Sequence, residues 1–196
     1  MKKTVVVFGA SGKTGQEVVK TALNNDFNVR IIDRDNLFDQ KKIDEVIKES
    51  NGVIIVFGPR PPYKDIFCEK ATKLIVKSML KNSIKRLICQ TGAMIGNYPD
   101  NRSFFFQLMS NSFKSSNPEG YFDRVNQEII IKKSHLDWTI IKPPRLTENN
   151  GKLKLKVGVD LKIDLMSSVS INILAQFIIE IINDTKSFGQ VVFVKK

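Results

Sequence analysis

The chain has 196 residues, enough for one full-sized domain with its own core and too few to require a second. Lys and Arg total 31 against 20 Asp and Glu, a net charge of +11 that raises nucleic acid, a membrane surface or an anionic small molecule as partners. The cations are spread through both halves without a long basic run, and no segment reaches membrane-spanning length. These features argue against a nucleic-acid-binding domain and a membrane partner, and for a cytoplasmic protein that handles a small molecule.

The first element is read from "VVVFGASGKTGQEVV", Val5 to Val19. Val5 to Phe8 is a strand-like apolar run, and from Gln16 onward Val18, Val19, Ala22 and Leu23 recur at helical spacing. The turn between them carries two phosphate-binding signatures. "GKT" at Gly12 to Thr14 is how a P-loop ends, but the glycine that a P-loop needs five residues earlier is Val7, inside the strand. Gly9, Gly12 and Gly15 instead follow the dinucleotide pattern: a sharp turn, close backbone approach to a pyrophosphate, and close helix-to-strand packing. The anion would then meet the N-terminus of a helix, where free N–H groups and the dipole favour it.

"FNVRIID" reads as the second strand, ending at Asp33, 18 residues after Gly15. A carboxylate there suits the ribose diol of NAD, whereas the adjoining Arg34, with Lys13, suits the 2′-phosphate of NADP. Two cations against one anion favour NADP, with NAD as the alternative. "DQKKIDEVIKES" predicts a helix with Asp39 as N-cap and Ile43, Val46 and Ile47 on one face. "GVIIVFG" is apolar throughout, as in a strand of a parallel sheet covered on both sides. Tyr63 to Lys81 reads as a helix with Ile66, Ala71, Leu74, Ile75 and Met79 inward, followed by the strand "KRLICQTG".

In "SFFFQLMSNSF", Ser103 to Phe113, helical spacing puts Phe104, Leu108 and Met109 in the core; the competing role is a cap over a flat acceptor. Beyond a further helix and the strand "LDWTIIKPP", "KLKLKVGVDLKIDL" reads as a pair of strands. There Lys152, Lys154 and Lys156 form a solvated face opposite Leu153, Leu155 and Val157. A last helix from about Ser170 and the strand "QVVFV" complete an alternation that predicts an α/β fold of Rossmann type, a doubly wound, mostly parallel sheet with helices on both faces. Between Arg34 and Gly52 there is no room for the usual helix, strand and helix, so the third strand is expected to be missing or reduced to "DNLF". Cys68 and Cys89 lack metal-ligand spacing and read as buried, reduced thiols.

"GASGKTGQ", "LDWTIIKPPRLTE" and the Ser170-to-Ala175 start of the last helix together resemble the atypical short-chain dehydrogenase/reductases, within them the NAD(P)H-binding group of biliverdin/flavin reductase and NmrA-like proteins. The likeness spans nearly all of residues 1–196 as a single NAD(P)-binding domain. It implies that Gly9, Ser11, Gly12, Lys13, Thr14 and Gly15 cradle the cofactor and that Arg34 occupies the adenine-ribose phosphate position. It further implies that Gly58, Pro59, Arg60, Thr91 and Gly92 line the pyrophosphate and nicotinamide, with Pro143, Pro144 and Arg145 closing over the ring. Thr91 is the candidate catalytic residue, orienting nicotinamide or substrate.

The chain departs from typical members in having no Tyr followed four residues later by Lys. Carbonyl chemistry needs such a proton donor. Hydride transfer to a flavin gives a delocalised anion that solvent protonates, so placement alone suffices. Arg124 and Glu128 read as an intrahelical ion pair where relatives carry Lys and Glu, and His135, the one histidine, has no triad around it. The expected function is an NAD(P)H-dependent reductase acting on a small flat acceptor such as flavin, quinone or tetrapyrrole. The alternative is an NAD(P)-sensing regulator without turnover.

Overall fold

A computed structural model describes residues 2–59, 63, 65–148 and 154–196. In chain order the elements are β1 (Thr4–Phe8), α1 (Lys13–Asn24), β2 (Asn28–Ile32), α2 (Gln40–Ile47), β3 (Gly52–Ile55), α3 (Cys68–Lys81) and β4 (Arg86–Gln90). Then follow α4 (Phe104–Ser116), α5 (Pro118–Lys132), β5 (Asp137–Lys142), β6 (Arg145–Thr147), β7 (Lys156–Gly158), β8 (Ser168–Ser170), α6 (Ile171–Glu180) and β9 (Gln190–Lys195). Seven strands form one sheet in the order β2-β1-β3-β4-β5-β9-β7, parallel except where β7 runs against β9. β6 and β8 form a separate parallel pair. This is a Rossmann-like α/β fold with β2 at the sheet edge. After β2 the chain makes only a short turn of 3₁₀ helix at Arg34–Asn36, where a third strand would otherwise begin.

The period of two in the strands builds two cores. Val5 and Val7 of β1 face α1 and α6 with Val18, Ala22, Leu174 and Ile178. Val6 and Phe8 face the other way, against Ile43, Ile75, Met79 and Ile131 of α2, α3 and α5. Both faces being covered explains why β3 and β4 are buried along their whole length.

Three expectations about the elements are corrected. The helix expected over 63–81 begins at Cys68, leaving Tyr63 in a left-handed conformation (φ 62°) and Ile66 exposed. The cause lies on α5: the Asp123 carboxylate accepts the backbone N–H groups of Phe67, Cys68 and Glu69 at 2.8–3.2 Å and caps α3 from outside. On α4, Phe106 and Ser110 are the buried residues, while Phe104, Leu108 and Met109 are exposed, so the core assignment of those three is wrong. Among the described residues of the Lys-alternating segment only Lys156–Gly158 is a strand, and the return meets Arg102 through a single bridge at Ile163. Lys154 and Lys156 are solvated and Leu155 is half-buried, but Val157 is exposed; Lys152 and Leu153 lie outside the described residues. No helix among the described residues is long and apolar enough to cross a membrane.

Candidate functional site

The parallel strands all end on one edge of the sheet, and the turn after β1 opens there. Gly9 adopts φ +94°, and a Cβ on it would lie 2.6 Å from the Phe57 nitrogen. A Cβ on Gly15 would lie 2.1 Å from the Gly9 oxygen, so that glycine is needed for α1 to pack against the turn. Gly12 differs from both. Its backbone is ordinary (φ −78°, ψ 160°) and an added Cβ would meet nothing closer than 3.4 Å, so the protein does not need a glycine there for its own packing. Gly12 is the N-cap of α1 with no side-chain cap, and the first turn holds no acidic residue. The N–H groups of that turn therefore remain available to an anion.

Two adjoining cavities follow. The smaller, about 300 Å³, is lined by Gly9, Ser11, Gly12, Asp33, Arg34 and Phe67 among others. The larger, about 580 Å³, is lined by Pro59, Thr91, Gly92, Pro143, Pro144 and Arg145, together with Tyr63, Met109 and Phe113. Val56, Phe57 and Gly58 at the end of β3 belong to both. An extended molecule with a charged middle and flat ends fits across that junction. This bare-backbone cradle beside an uncapped helix start is what a pyrophosphate requires, so the residues fit a dinucleotide.

The sequence-predicted residues fall into three groups. Gly9, Ser11, Gly12, Asp33 and Arg34 meet in the smaller cavity, and Pro59, Thr91, Gly92, Pro143, Pro144 and Arg145 in the larger, with Gly58 between. Thr14 and Gly15 are buried in the first turn of α1. Lys13 points outward and pairs with Glu148, and Arg60 lies outside the described residues. Arg34 pairs with Asp65 at 2.8 Å and stacks over Phe67, whereas the Asp33 side chain makes no hydrogen bond among the described residues.

Behind the larger cavity lies a buried polar cluster that sequence reasoning missed. Lys142, at the end of β5, is fully buried and donates to Glu128 of α5 at 2.5 Å. Glu128 also accepts from the Thr91 hydroxyl at 2.7 Å and the Tyr98 hydroxyl at 2.8 Å. Tyr98 in turn accepts from Lys132 at 2.7 Å. Burial outweighs the attraction of Glu128 and brings the Lys142 ammonium down to about 8. Burial alone would raise Glu128, but Lys142 and the two hydroxyls outweigh it and hold the carboxyl below its ordinary range. Burial, and next to it the Glu128 charge, raises Tyr98. The signal was present in the sequence: a lysine inside the apolar strand "WTIIKPP" has to find a buried carboxylate.

The expected intrahelical pair of Arg124 and Glu128 does not form. Arg124 instead donates to the carbonyls of Phe57 and Gln90 at 2.8 and 2.9 Å and to Gln127 at 2.8 Å, tying the ends of β3 and β4 together. Cys68 and Cys89 are buried free thiols that burial pushes up to about 11 and about 12, so neither offers a thiolate at neutral pH. Among the described residues no cluster of His, Cys, Asp or Glu is placed to hold a metal ion.

A family model described as NAD(P)H-binding matches residues 31–185, and the NmrA-like family model matches residues 1–60. No curated protein matches the sequence. Solved structures share the fold at low identity. The oxidoreductase ylbE from Lactococcus lactis superposes with a TM-score of 0.77 at 17% identity, over 98% of this chain and 90% of that one. A short-chain dehydrogenase/reductase from Veillonella parvula in complex with NADP gives 0.76 at 15%, over 100% and 95%. ChuY, an anaerobillin reductase from Escherichia coli, gives 0.73 at 18%, over 98% and 97%.

Proposed function

Since the chain belongs to the NAD(P)H-binding family, we propose that it is an NADPH-dependent reductase that passes hydride to a flat conjugated acceptor. The observation that carries the reading is the pair of cavities joined at Val56 to Gly58, one built on the glycine turn and the other walled by aromatic and apolar side chains. The bound cofactor supplies the hydride, and the protein supplies placement. Gly12 and the first turn of α1 hold the pyrophosphate. Pro143 and Pro144 cover the inner end of the dinucleotide, and Met109 and Phe113 face an acceptor ring across the cavity. The exposure of Met109 on α4 favours this capping role over a place in the core. Among the structural neighbours, an anaerobillin reductase supports an acceptor of the tetrapyrrole kind.

Thr91 serves as a positioning group. Its hydroxyl proton is given to Glu128, so it presents only a lone pair to a ligand. Tyr98 and Tyr121 likewise donate inward, to Glu128 and to the Gly96 carbonyl. Flavin reduction is therefore expected to survive Tyr63→Phe, Tyr98→Phe and Tyr121→Phe within about tenfold each, because losing a true general acid costs about 10²–10⁴. Steady-state rates of the folded variants check this, and a thousandfold loss in any one identifies a proton donor.

The cofactor is assigned as NADPH through Arg34, which lines the smaller cavity and exchanges Asp65 for the 2′-phosphate. A charge-assisted contact of about 1.5–3 kcal/mol predicts that Arg34→Ala weakens NADPH binding about tenfold to a hundredfold and leaves NADH within about threefold. Titration of both proteins with both cofactors checks this. A wild-type preference for NADH makes Asp33 the reader instead.

The NmrA-like match over residues 1–60 favours a second reading, an NAD(P)-binding sensor without turnover. NADPH consumption with FMN, biliverdin or menadione separates the two. Protein-dependent oxidation with one of them supports the reductase, and saturable NADPH binding with no oxidation supports the sensor.

A further inference from the structure

Four buried side-chain atoms lack a hydrogen-bond partner among the described residues: Gln40 Oε1, Ser50 Oγ, Gln90 Oε1 and Ser170 Oγ. Of these residues only Gln90 lines either cavity. It sits at the C-terminal end of β4, 8% exposed, next to Thr91. A buried acceptor without a partner is costly, and one that belongs to a cavity-lining residue is explained when a ligand supplies the donor.

The neighbour of Gln90 makes the same point with the opposite polarity. The Arg124 guanidinium donates to the Gln90 carbonyl, lines the same cavity and is 6% exposed. All its oxygen partners are neutral: two backbone carbonyls and the Gln127 amide. No carboxylate lies within ion-pair distance of it among the described residues, since Glu128 one turn further is taken by Lys142. A buried guanidinium keeps its charge. Gly58 leaves this charge approachable: a Cβ there would lie 3.5 Å from Arg124 Nη1, in the stretch that both cavities share.

An unsatisfied acceptor and an unneutralised donor group on two residues that line one cavity complement a ligand edge that offers an N–H beside a carbonyl oxygen. We propose that Gln90 and Arg124 form a subsite for an amide-type edge, such as the lactam or imide of a conjugated ring, with Gln90 pairing to its N–H and Arg124 facing its oxygen. This rests on the reductase reading for its place in function. It narrows the acceptor to rings carrying that edge, flavins and linear tetrapyrroles, and disfavours quinones, which lack the N–H. When such a ring gains hydride, negative charge spreads onto its carbonyl oxygens until solvent delivers the proton, and the Arg124 charge stabilises that anion. The carboxamide of the nicotinamide has the same chemistry and is the second source of such an edge.

The test is a set of calorimetric titrations, which need no turnover, of wild type, Gln90→Leu and Gln90→Glu with FMN, biliverdin, menadione, NADPH and 2′-phospho-ADP-ribose, which lacks the nicotinamide. Because Gln90 Oε1 has no partner to lose, Gln90→Leu is expected to melt at or above the wild-type temperature. Its affinity for FMN and biliverdin is expected to fall about tenfold with menadione unchanged, since a site built around a hydrogen bond discriminates by that bond. Gln90→Glu, which adds an anion to the cavity that Arg124 also lines and so offsets its charge, is expected to weaken the same ligands at least as much. If NADPH weakens tenfold while 2′-phospho-ADP-ribose does not, the edge being read is the nicotinamide carboxamide. Unchanged affinity for FMN, biliverdin and NADPH in both folded variants overturns the subsite. Wild-type turnover decides the reductase reading separately: turnover that Gln90→Leu leaves intact keeps the enzyme and removes the subsite, and Gln90-dependent binding without turnover does the reverse.

Discussion

Gly12→Val is expected to abolish NADPH binding while the protein stays folded. The position tolerates a side chain as far as the protein is concerned, because its backbone is in an ordinary extended region and an added Cβ makes no contact closer than 3.4 Å. In the proposed binding mode, the space such a side chain fills is the one where the pyrophosphate approaches the start of α1. Gly15→Ala is the contrasting control. Its Cβ would come within 2.1 Å of the Gly9 oxygen, so that variant should lose stability first and binding only as a consequence. Thermal melts with and without NADPH distinguish them: a normal melt that the cofactor no longer raises for Gly12→Val, and a lowered melt for Gly15→Ala. Unaltered NADPH affinity in folded Gly12→Val removes the glycine turn from the binding site.

The largest effect on stability is expected at Glu128. Glu128→Leu strands the Lys142 ammonium, fully buried with its carboxylate gone, and breaking a buried pair in this way costs about 3–5 kcal/mol. Replacing both partners, Glu128→Leu with Lys142→Met, should recover most of that loss, because well-packed apolar groups of similar size replace a buried pair at little cost. Urea unfolding of the three proteins measures both. A single variant within about 1 kcal/mol of wild type would mean that Lys142 is neutral in the fold. The pair also fixes an acid limit. The Glu128 carboxyl is held below its ordinary value of 4.5, so its contribution is present above that pH and is lost as the pH falls through the lowered folded-state value.

Most of the architecture was legible because it follows from local pattern. The apolar run from Gly52 to Gly58 reads as a strand covered on both sides, of which Gly52–Ile55 is one, and the glycine turn with its flanking strand and helix is specified within fifteen residues, Val5 to Val19. The shortness of the chain between Arg34 and Gly52 predicted the bare edge at β2. What was not legible depends on partners remote in sequence. The start of α3 is set by Asp123, 56 residues beyond Phe67, and no local signal reveals that cap. Three consecutive aromatics, Phe104 to Phe106, cannot declare which one faces in; packing against the end of the sheet selects Phe106. Gly9, Gly12 and Arg34, which line the smaller cavity, were readable from spacing, while the Glu128 cluster and the residues Gln90 and Arg124 come together where α5 meets the ends of the strands. Lys142 was the one warning of them, a charge in an apolar strand.

On the proposed reading, the two joined cavities place a nicotinamide against an acceptor ring closely enough for hydride to pass directly. Single-turnover mixing of the protein with an acceptor and NADPH, with oxygen excluded and the hydride position of the nicotinamide carrying either hydrogen or deuterium, tests it most directly. The predicted result is protein-dependent reduction of FMN or biliverdin that slows measurably with deuterium. An acceptor that stays oxidised while the protein is saturated with NADPH would contradict direct transfer.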